Sequence, residues 1–418
     1  MRFIPHLLKK TMIYNNLKYA YYSLIKKRHS CKKKENISMV FLVKRSEVWN
    51  SVKSVYDAAK KCENISVYLV ALPPYKQEQI MVNDYGNYEF CCSIDSNAIC
   101  AYDKSKKSYF DLEQLKPDYI FLSVPYEYEY PSCYQFKYLG EIAHLVYISY
   151  GYTMIKSKMQ KVTIKPSVIQ YADYIFACNR IMYNSYLKVM MLSQLVGGKR
   201  LYNIGFPRFD LYRNLPAEKQ NNKTILWLPR WTTVTQVRDG NEPSSFFEVK
   251  DKILMYMKKK TKETLIIRPH PKAFENYIKD GLMSEDDVER YKDGIAKSAN
   301  VSLDKNSTYY DSLIQADILV ADFTSILAEY FVMGRPILYF GDKSKCPPIH
   351  REMYESFYCV ETWEMAEEIL EDLIRGNDPK KEQRKNAVDK FVNSMARDVG
   401  ERIIGLLMTN YEKEGKCE

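Results

Sequence analysis

Residues 316–340 predict a strand, a helix and a second strand in close succession. This segment constrains the fold more than any other stretch of the sequence. The β-branched run 318–320 predicts a buried strand that ends at Asp322. A helical pattern extends from Thr324 to Gly334, and a second apolar run follows at 337–340. Two strands joined so closely by a helix are typical of the βαβ unit of a parallel sheet.

The turn between the first strand and the helix carries groups suited to an anion. Thr324 and Ser325 lie at the predicted helix N-terminus, where unpaired N–H groups and the helix dipole favour negative charge. An ordinary N-cap by Asp322 or Thr324, without any ligand, explains the same residues. This segment alone therefore leaves a phosphate site and a plain cap as alternatives.

The alternation of short apolar runs with helical patterns extends over most of the chain. It predicts an α/β protein with two doubly wound, Rossmann-like domains that face a cleft. The predicted strands lie at residues 37–43, 65–71, 118–124, 145–149, 174–178, 201–204, 224–228, 264–267, 318–320 and 337–340. Since ligands bind outside the carboxyl ends of parallel strands, we expect the functional residues at those strand ends.

A polar stretch at residues 213–223 interrupts the alternation and is the predicted linker between the domains. We accordingly expect a basic N-terminal arm, an N-terminal Rossmann-like domain, this linker, a C-terminal Rossmann-like domain and a C-terminal helix. Their expected bounds are 1–35, 36–212, 213–223, 224–395 and 396–418.

Composition is that of a globular protein, with 46% hydrophobic and 27% charged residues among 418. The ten cysteines form no C-x-x-C pair, so no zinc or redox motif is present, and we expect reduced thiols in a cytosolic protein without a cleavable signal peptide. The Gly-rich fingerprints of dinucleotide sites and P-loops are also missing from the sequence. We expect neither a metal ion nor a cofactor, and no nucleic-acid partner.

The net charge of +10 is concentrated at the N-terminus, because residues 1–34 contain Lys and Arg but no Asp or Glu. Apolar residues alternate with these basic residues at helical spacing, and no run is long enough to cross a bilayer. A basic amphipathic helix on an anionic membrane surface explains this pattern best. A solvated arm, a mitochondrial-type presequence and a nucleic-acid contact are the alternatives.

Three predicted strand ends in the second half of the chain carry phosphate-competent side chains. Arg230 follows one strand, Arg268 and His270 follow the next, and Thr324 with Ser325 follow the third. Arginine can bind phosphate through two parallel hydrogen bonds, and histidine can donate a hydrogen bond to a leaving phosphate. Glu329 lies further along the helix that begins at Thr324 and Ser325. Its spacing suits a hydrogen bond to a ribose hydroxyl, and the alternative is a solvated position on the helix surface.

Four segments resemble the CDP-glycerol glycerophosphotransferase family, whose members build wall teichoic acid and capsule polymers. The segments are 203–210 (NIGFPRFD), 225–231 (ILWLPRW), 266–271 (IIRPHP) and 317–340 (DILVADFTSILAEYFVMGRPILYF). The resemblance implies a glycosyltransferase-B-like fold and a C-terminal domain that binds a CDP-activated polyol. It also implies a lipid-linked glycan acceptor at the inner face of the membrane, in keeping with the basic arm.

The resemblance also assigns roles to individual residues. His270 and Arg268 would hold the donor diphosphate together with Thr324 and Ser325, and Glu329 would lie near the ribose. Arg230 and Arg208 complete the predicted donor-binding set.

The chain departs from the family pattern on the acceptor side. The family has a His-Gly pair after a strand of the N-terminal domain, taken to be the general base, whereas this chain has Tyr150-Gly151 there. A tyrosine with its ordinary pKa of about 10 is a poor base at neutral pH. His144 lies at the other end of that strand. Either Tyr150 serves as the base, or a carboxylate such as Asp210 does, or the substrate has changed.

The predicted function is transfer of a polyol phosphate from a CDP-activated donor to a hydroxyl of a cell-surface glycan or lipid-linked acceptor. A nucleotide-sugar glycosyltransferase or epimerase of the same fold is the alternative within this class. A catalytically weak nucleotide-binding subunit, in which the missing His-Gly pair marks the loss of chemistry, is the alternative from another class.

Overall fold

The structure is a computed structural model that describes residues 12–414, apart from 26–35, 77, 155–166, 198, 213–221, 239–241, 307 and 396. Two predictions therefore lie mainly outside the described residues. One is the basic arm, of which only residues 12–25 are described, and the other is the linker at 213–223.

The chain divides into two compact units. The first consists of Met1–Leu211 together with Ser394–Glu418, and the second of Tyr212–Asn393. Each unit contains one large sheet in which every neighbouring pair of strands is parallel.

The first unit alternates strands and helices along the chain. Its strands are β1 (Ile37–Val43), β2 (Ile65–Ala71), β3 (Tyr75–Lys76), β4 (Gln79–Ile80), β5 (Ile99–Cys100), β6 (Tyr102–Asp103), β7 (Ser108–Tyr109), β8 (Tyr119–Leu122), β9 (His144–Ile148), β10 (Tyr174–Ala177) and β11 (Arg200–Asn203). Its first helices are α1 (Met12–Ile25), α2 (Lys53–Lys60), α3 (Gly86–Ile94), α4 (Phe136–Ile142), α5 (Ser167–Tyr171) and α6 (Arg180–Leu195).

Seven of these strands form the large sheet in the order β11-β10-β9-β8-β1-β2-β5. The chain starts in the middle at β1, builds outward to one edge, and returns to build outward to the other. The order therefore reverses between β1 and β8, which is the topological switch point of a doubly wound sheet.

The second unit repeats this plan with six strands. They are β12 (Thr224–Leu228), β13 (Thr264–Ile267), β14 (Val301–Leu303), β15 (Ile318–Asp322), β16 (Ile337–Phe340) and β17 (Tyr358–Val360). Its helices are α7 (Val234–Arg238), α8 (Phe246–Lys258), α9 (Ala273–Lys279), α10 (Glu285–Ala296), α11 (Tyr310–Gln315), α12 (Ile326–Phe331), α13 (Arg351–Glu355), α14 (Trp363–Ile374) and α15 (Lys381–Met395).

The strand order in the second sheet is β14-β13-β12-β15-β16-β17. This is the order of a Rossmann fold, and its switch point lies between β12 and β15. The helix over the strand-helix-strand segment, α12, is short, and the strands β15 and β16 on either side of it are completely buried.

The last helix, α16 (Val399–Glu414), belongs to the first unit and packs against α2. Ile403 and Leu407 of α16 are fully buried in the same hydrophobic core as Met39 and Val55. The two helices approach closely at Gly400, where an added Cβ would lie 2.3 Å from the carbonyl oxygen of Ser54. None of the helices among the described residues is long and apolar enough to span a membrane.

The sequence did not predict β14 and β17, the two edge strands of the second sheet. Each has only three residues, so neither gives a run long enough to be recognised by periodicity. All ten strands that the sequence did predict are present, with ends that differ by at most two residues.

Candidate functional site

The switch point of the second unit brings two of the predicted donor-site segments together. Arg230 lies two residues beyond the end of β12, and Thr324 lies two residues beyond the end of β15. These strands are direct neighbours, with Leu228 paired to Ala321. The loops that follow them therefore leave the sheet side by side, at the position where doubly wound sheets bind ligands.

A buried carboxylate holds these loops together. Asp322 accepts hydrogen bonds from the backbone N–H of Arg230 at 2.7 Å and of Ser245 at 3.0 Å. The hydroxyl of Ser244 donates to the same carboxylate at 3.1 Å. Burial raises the pKa of Asp322, and these hydrogen bonds oppose the rise by stabilising the ionised form. Asp322 thus anchors the loop after β12 and does not cap α12.

Thr324 is the residue that bonds to the start of α12. Its hydroxyl accepts a hydrogen bond from the backbone N–H of Ile326 at 3.4 Å, which is a long contact. Ser325 makes no side-chain cap. Both side chains are only partly buried, so their hydroxyls lie at the surface of the switch point.

The Arg230 guanidinium lies over the turn that follows β15. Its Nη1 donates to the carbonyl oxygen of Phe323 at 2.5 Å. Its Nε atom is buried and has no hydrogen-bond partner among the described residues. Burial lowers the pKa of Arg230, because it removes part of the charged guanidinium from water. An anion at this position would supply both the missing acceptor and a compensating charge.

His270 lies near this guanidinium. Its Nδ1 accepts a hydrogen bond from the backbone N–H of Lys272 at 3.2 Å, and its ring centroid is 5.8 Å from that of Trp231. Although much of the residue is solvent-exposed, desolvation of the ring is the largest cause that lowers its pKa to about 4, followed by the charges of Arg230 and Lys272. His270 is therefore neutral at pH 7, and with Nδ1 as acceptor its proton lies on Nε2.

The guanidinium of Arg268 forms an ion pair and hydrogen bonds within the second unit. Its Nη1 forms an ion pair with the buried Asp304 at 2.6 Å, and the guanidinium also donates to the carbonyl oxygens of Asn306 and Thr308. These contacts fix the loop between β14 and α11. The structure thus gives Arg268 a positioning role, which differs from the direct diphosphate contact implied by the family resemblance.

Glu329 also has hydrogen-bond partners for its carboxylate within the second unit. It is 1% exposed, and its two carboxylate oxygens accept hydrogen bonds from the hydroxyls of Tyr309 at 2.8 Å and Tyr212 at 2.7 Å. Arg268 fixes the loop that carries Tyr309, so Arg268, Tyr309 and Glu329 form one connected network. A ribose contact by Glu329 stays a prediction, and it would have to compete with these two tyrosines.

A second set of strand-end side chains lies at the switch point of the first unit. Arg45 follows β1, Tyr126 and Glu129 follow β8, and Tyr150 follows β9, and these strands are adjacent in the sheet. The guanidinium of Arg45 forms two hydrogen bonds with the carboxylate of Glu129, one of them from Nε at 3.0 Å. The hydroxyls of Tyr126 and Tyr150 share a hydrogen bond at 3.1 Å.

This environment makes Tyr150 unsuitable as a general base. Burial, followed by the hydrogen bond with Tyr126, raises the pKa of Tyr150 far above its ordinary value. Its hydroxyl therefore stays protonated at neutral pH and acts as a hydrogen-bond donor or acceptor. At the adjacent Gly151 an added Cβ would meet nothing within 4 Å, so space does not require a glycine there.

Asp210 and Arg208 also lie in the first unit. The carboxylate of Asp210 accepts hydrogen bonds from the backbone N–H groups of Val399 at 3.1 Å and Gly400 at 2.9 Å. Asp210 thus caps the N-terminus of α16 from a distant part of the chain. Arg208 is buried, with its guanidinium 5.6 Å from the ring centroid of Phe206.

No sequence pattern points to several of these residues. Ser244, Asp304, Tyr309, Arg45 and Glu129 lie in loops without a recognisable motif, and their partners are 20 to 84 residues away in the chain. Only the rule that strand ends carry ligands could have pointed to Arg45. Among the described residues, no cluster of His, Cys, Asp and Glu could hold a metal ion.

Solved structures of other proteins share this fold. A UDP-GlcNAc 2-epimerase from Neisseria meningitidis, solved with UDP-GlcNAc, aligns with a TM-score of 0.55 and 13% identity over 90% of this chain and 100% of the other. The wall teichoic acid polymerase TagF, solved with CDPG, aligns with a TM-score of 0.53 and 14% identity over 98% and 97%. At these identities the likeness establishes the fold, which is glycosyltransferase-B-like. No curated protein sequence gives a significant match.

Two Rossmann-like sheets, each with polar side chains at its switch point, define the class of the protein by its glycosyltransferase-B-like architecture. Its sequence narrows this class further. Residues 145–409 match the profile of the CDP-glycerol:poly(glycerophosphate) glycerophosphotransferases, and the chain belongs to that family. The match includes the loops that carry Arg230, His270 and Thr324.

Proposed function

We propose that this protein transfers glycerol phosphate, or a closely related polyol phosphate, from a CDP-activated donor to a hydroxyl of a glycan acceptor. The observation that carries the proposal is the Arg230 guanidinium at the switch point of the second unit. Its buried Nε has no partner among the described residues, and Thr324 and Ser325 lie on the adjacent loop. The donor diphosphate is the anion that would complete this site.

The reaction would be an in-line displacement at the β-phosphorus of the donor. The acceptor oxygen forms the new bond, the bond from the β-phosphorus to the bridging oxygen breaks, and CMP leaves with that oxygen. The hydroxyl proton is lost to solvent or to a phosphate oxygen. Such phosphoryl transfers depend mainly on positioning and on stabilisation of the phosphate charges.

The donor-site side chains suit these two tasks. Arg230 supplies a fixed positive charge in a poorly solvated position, where electrostatic interactions are stronger than in water. His270 presents its Nε2 proton to the departing phosphate as a hydrogen-bond donor. Asp322 holds the loop of Arg230 against the start of α8, so the guanidinium is positioned before the donor binds.

We further propose that the acceptor is carried by a membrane, with the protein bound peripherally at its inner face. Five apolar side chains of α1 are more than half exposed, namely Ile13, Leu17, Tyr21, Leu24 and Ile25. Met191 and Leu195 of α6, the helix against which α1 packs, are exposed as well. The TagF neighbour is a wall teichoic acid polymerase, which supports a cell-wall polymer as the acceptor.

The test is to measure binding of CDP-glycerol and release of CMP with purified protein, beside CDP-ribitol and UDP-sugars. We expect Arg230→Gln to raise the Kd for CDP-glycerol by roughly ten- to a hundredfold, because a charge-assisted contact worth about 1.5–3 kcal/mol is lost. Arg290→Gln is the control, since Arg290 is exposed on α10 of the same unit.

Two results would reject the proposal. One is turnover of a UDP-sugar with no effect of CDP-glycerol, which would favour a glycosyltransferase or an epimerase. The other is CDP-glycerol binding without CMP release over a panel of acceptors, which would favour a nucleotide-binding subunit.

A further inference from the structure

Three tyrosines form an exposed aromatic surface at the switch point of the first unit. The ring centroid of Tyr128 lies 5.5 Å from that of Tyr75 and 5.8 Å from that of Tyr126. Tyr128 is 65% exposed, and the other two rings are partly exposed. Tyr75 is the first residue of the short strand β3, which follows β2, and Tyr126 and Tyr128 lie in the segment after β8. We call these three side chains the tyrosine surface.

Aromatic side chains in water need a reason to stay exposed at a position where the fold places ligands. Burying the Tyr128 ring would remove a large apolar area from water. The loop instead buries its neighbours Glu129 and Tyr130 and leaves Tyr128 outside. A ligand with a flat apolar face would cover the ring in the way that aromatic residues line many small-molecule sites.

Polar groups of opposite charge border the tyrosine surface. Arg45 lies with its guanidinium carbon 5.6 Å from the ring centroid of Tyr126 and forms two hydrogen bonds with Glu129. The side chain of Arg45 is 38% exposed, whereas that of Glu129 is 1% exposed. The positive charge is therefore already balanced, and the exposed part of the guanidinium can still donate hydrogen bonds.

This combination selects the chemistry of the ligand. A phosphate would bring a second negative charge close to the buried Glu129, and the two would repel each other. A sugar carries no charge, has hydroxyls that accept from Arg45, and has a face of C–H groups that can stack on a tyrosine ring. The shared hydrogen bond of Tyr126 and Tyr150 leaves one hydroxyl proton that can be donated to a sugar hydroxyl.

We propose that the tyrosine surface, together with Arg45, binds a pyranose ring of the acceptor glycan. The inference rests on the proposed function, because it makes this surface the acceptor subsite of the transferase. Tyr128 stacks on the sugar, Arg45 holds its hydroxyls, and Tyr150 acts as a positioning residue through its hydroxyl. The sequence departure from His-Gly to Tyr150-Gly151 then belongs to acceptor recognition.

The test uses the full chain and a panel of methyl pyranosides of the gluco, galacto, manno and N-acetylglucosamine series, with inorganic phosphate and glycerol 3-phosphate as anionic probes. Binding is measured by saturation-transfer difference NMR and by titration. We expect at least one pyranoside to bind and Tyr128→Ala to weaken it roughly tenfold, whereas Tyr128→Phe retains binding because the ring is kept. Tyr138→Ala is the control, since Tyr138 lies on α4 outside this surface.

Three outcomes would overturn the inference. They are binding of the anionic probes without any pyranoside, no binding of either class, and pyranoside binding that is unchanged in Tyr128→Ala. CDP-glycerol binding to the same variants separates this result from the proposed function. Loss of the pyranoside with donor binding intact confirms the surface as a separate subsite, whereas failure of CDP-glycerol to bind the unaltered protein rejects the donor assignment.

Discussion

At the scale of single residues, the proposed donor site pairs a charged arginine with a histidine whose pKa is lowered first by desolvation and then by that charge. Arg230 and Lys272 both disfavour the imidazolium form of His270, and desolvation acts in the same direction. A diphosphate bound beside Arg230 would reverse this balance, because its negative charges favour the imidazolium. Donor binding and protonation of His270 are therefore linked.

We expect CDP-glycerol to bind with uptake of a fraction of a proton near pH 6. The pKa of His270 is about 4 in the ligand-free protein and rises in the complex, so the affinity should fall as pH increases from 4 through the pKa of the complex. The diphosphate diester itself has no group that titrates near neutral pH. Titration calorimetry in buffers of different ionisation enthalpy measures the uptake.

His270→Gln serves as the comparison, since it keeps a hydrogen-bonding side chain that does not titrate. The uptake should disappear in this variant, and its affinity should no longer fall between pH 5 and 7. Equal uptake in both proteins would show that His270 is not the linked group.

For the proposed donor site, the sequence indicates which residue types follow the strands but not which contacts they make. Arg230, His270 and Thr324 follow strands, and strand ends are readable from apolar runs. The ion pair between Arg268 and Asp304 could not be predicted from the sequence, because Asp304 lies in a loop 36 residues further along the chain. A side chain's chemistry is local, but its hydrogen-bond partners are set by tertiary structure.

At the scale of elements, the last helix was predicted as a separate segment, whereas the structure places it in the first unit. The contacts responsible are the cap by Asp210 and the close approach of Gly400 to Ser54. Neither leaves a pattern in the sequence, since Asp210 precedes the helix by nearly 190 residues. The helix α16 packs against α2 because both helices bury an apolar face in the same hydrophobic core.

Variants of Asp210 should distinguish a helix cap from a catalytic base. Asparagine keeps one of the two carboxylate oxygens that accept from Val399 and Gly400, so Asp210→Asn should lower the free energy of unfolding by about 0.5 kcal/mol and leave activity within about twofold. Asp210→Ala should cost about 1 kcal/mol of stability. Chemical denaturation and CMP release measure the two effects. A loss of activity of a hundredfold or more in Asp210→Asn, with stability kept, would instead identify a base.

At the scale of the whole molecule, positive charge and exposed apolar surface occur in the same part of the chain. The ten positive charges of residues 1–34 equal the net charge of the protein. Within that segment, α1 packs on the first unit through Asn16, Tyr19 and Tyr22. Its two leucines, Leu17 and Leu24, are exposed to solvent. An ordinary surface helix keeps its large apolar side chains away from water, so the exposed leucines of α1 are as expected if a membrane covers this face.

Replacing Leu17 and Leu24 by aspartate should release the protein from vesicles that contain anionic lipid. These side chains are 54% and 66% exposed, so the substitutions should not disturb the fold. Burying each in the interface should contribute roughly 1 kcal/mol or more, and the added negative charges oppose the anionic surface. We therefore expect at least a thirtyfold drop in partitioning, measured by sedimentation with vesicles.

The control is the double variant Leu282→Asp and Met365→Asp, which places the same substitution at exposed apolar positions of the second unit. It should bind vesicles like the unaltered protein. Vesicles of purely zwitterionic lipid should bind the unaltered protein more weakly, because the basic residues then contribute little. If both double variants bind alike, α1 does not face the membrane.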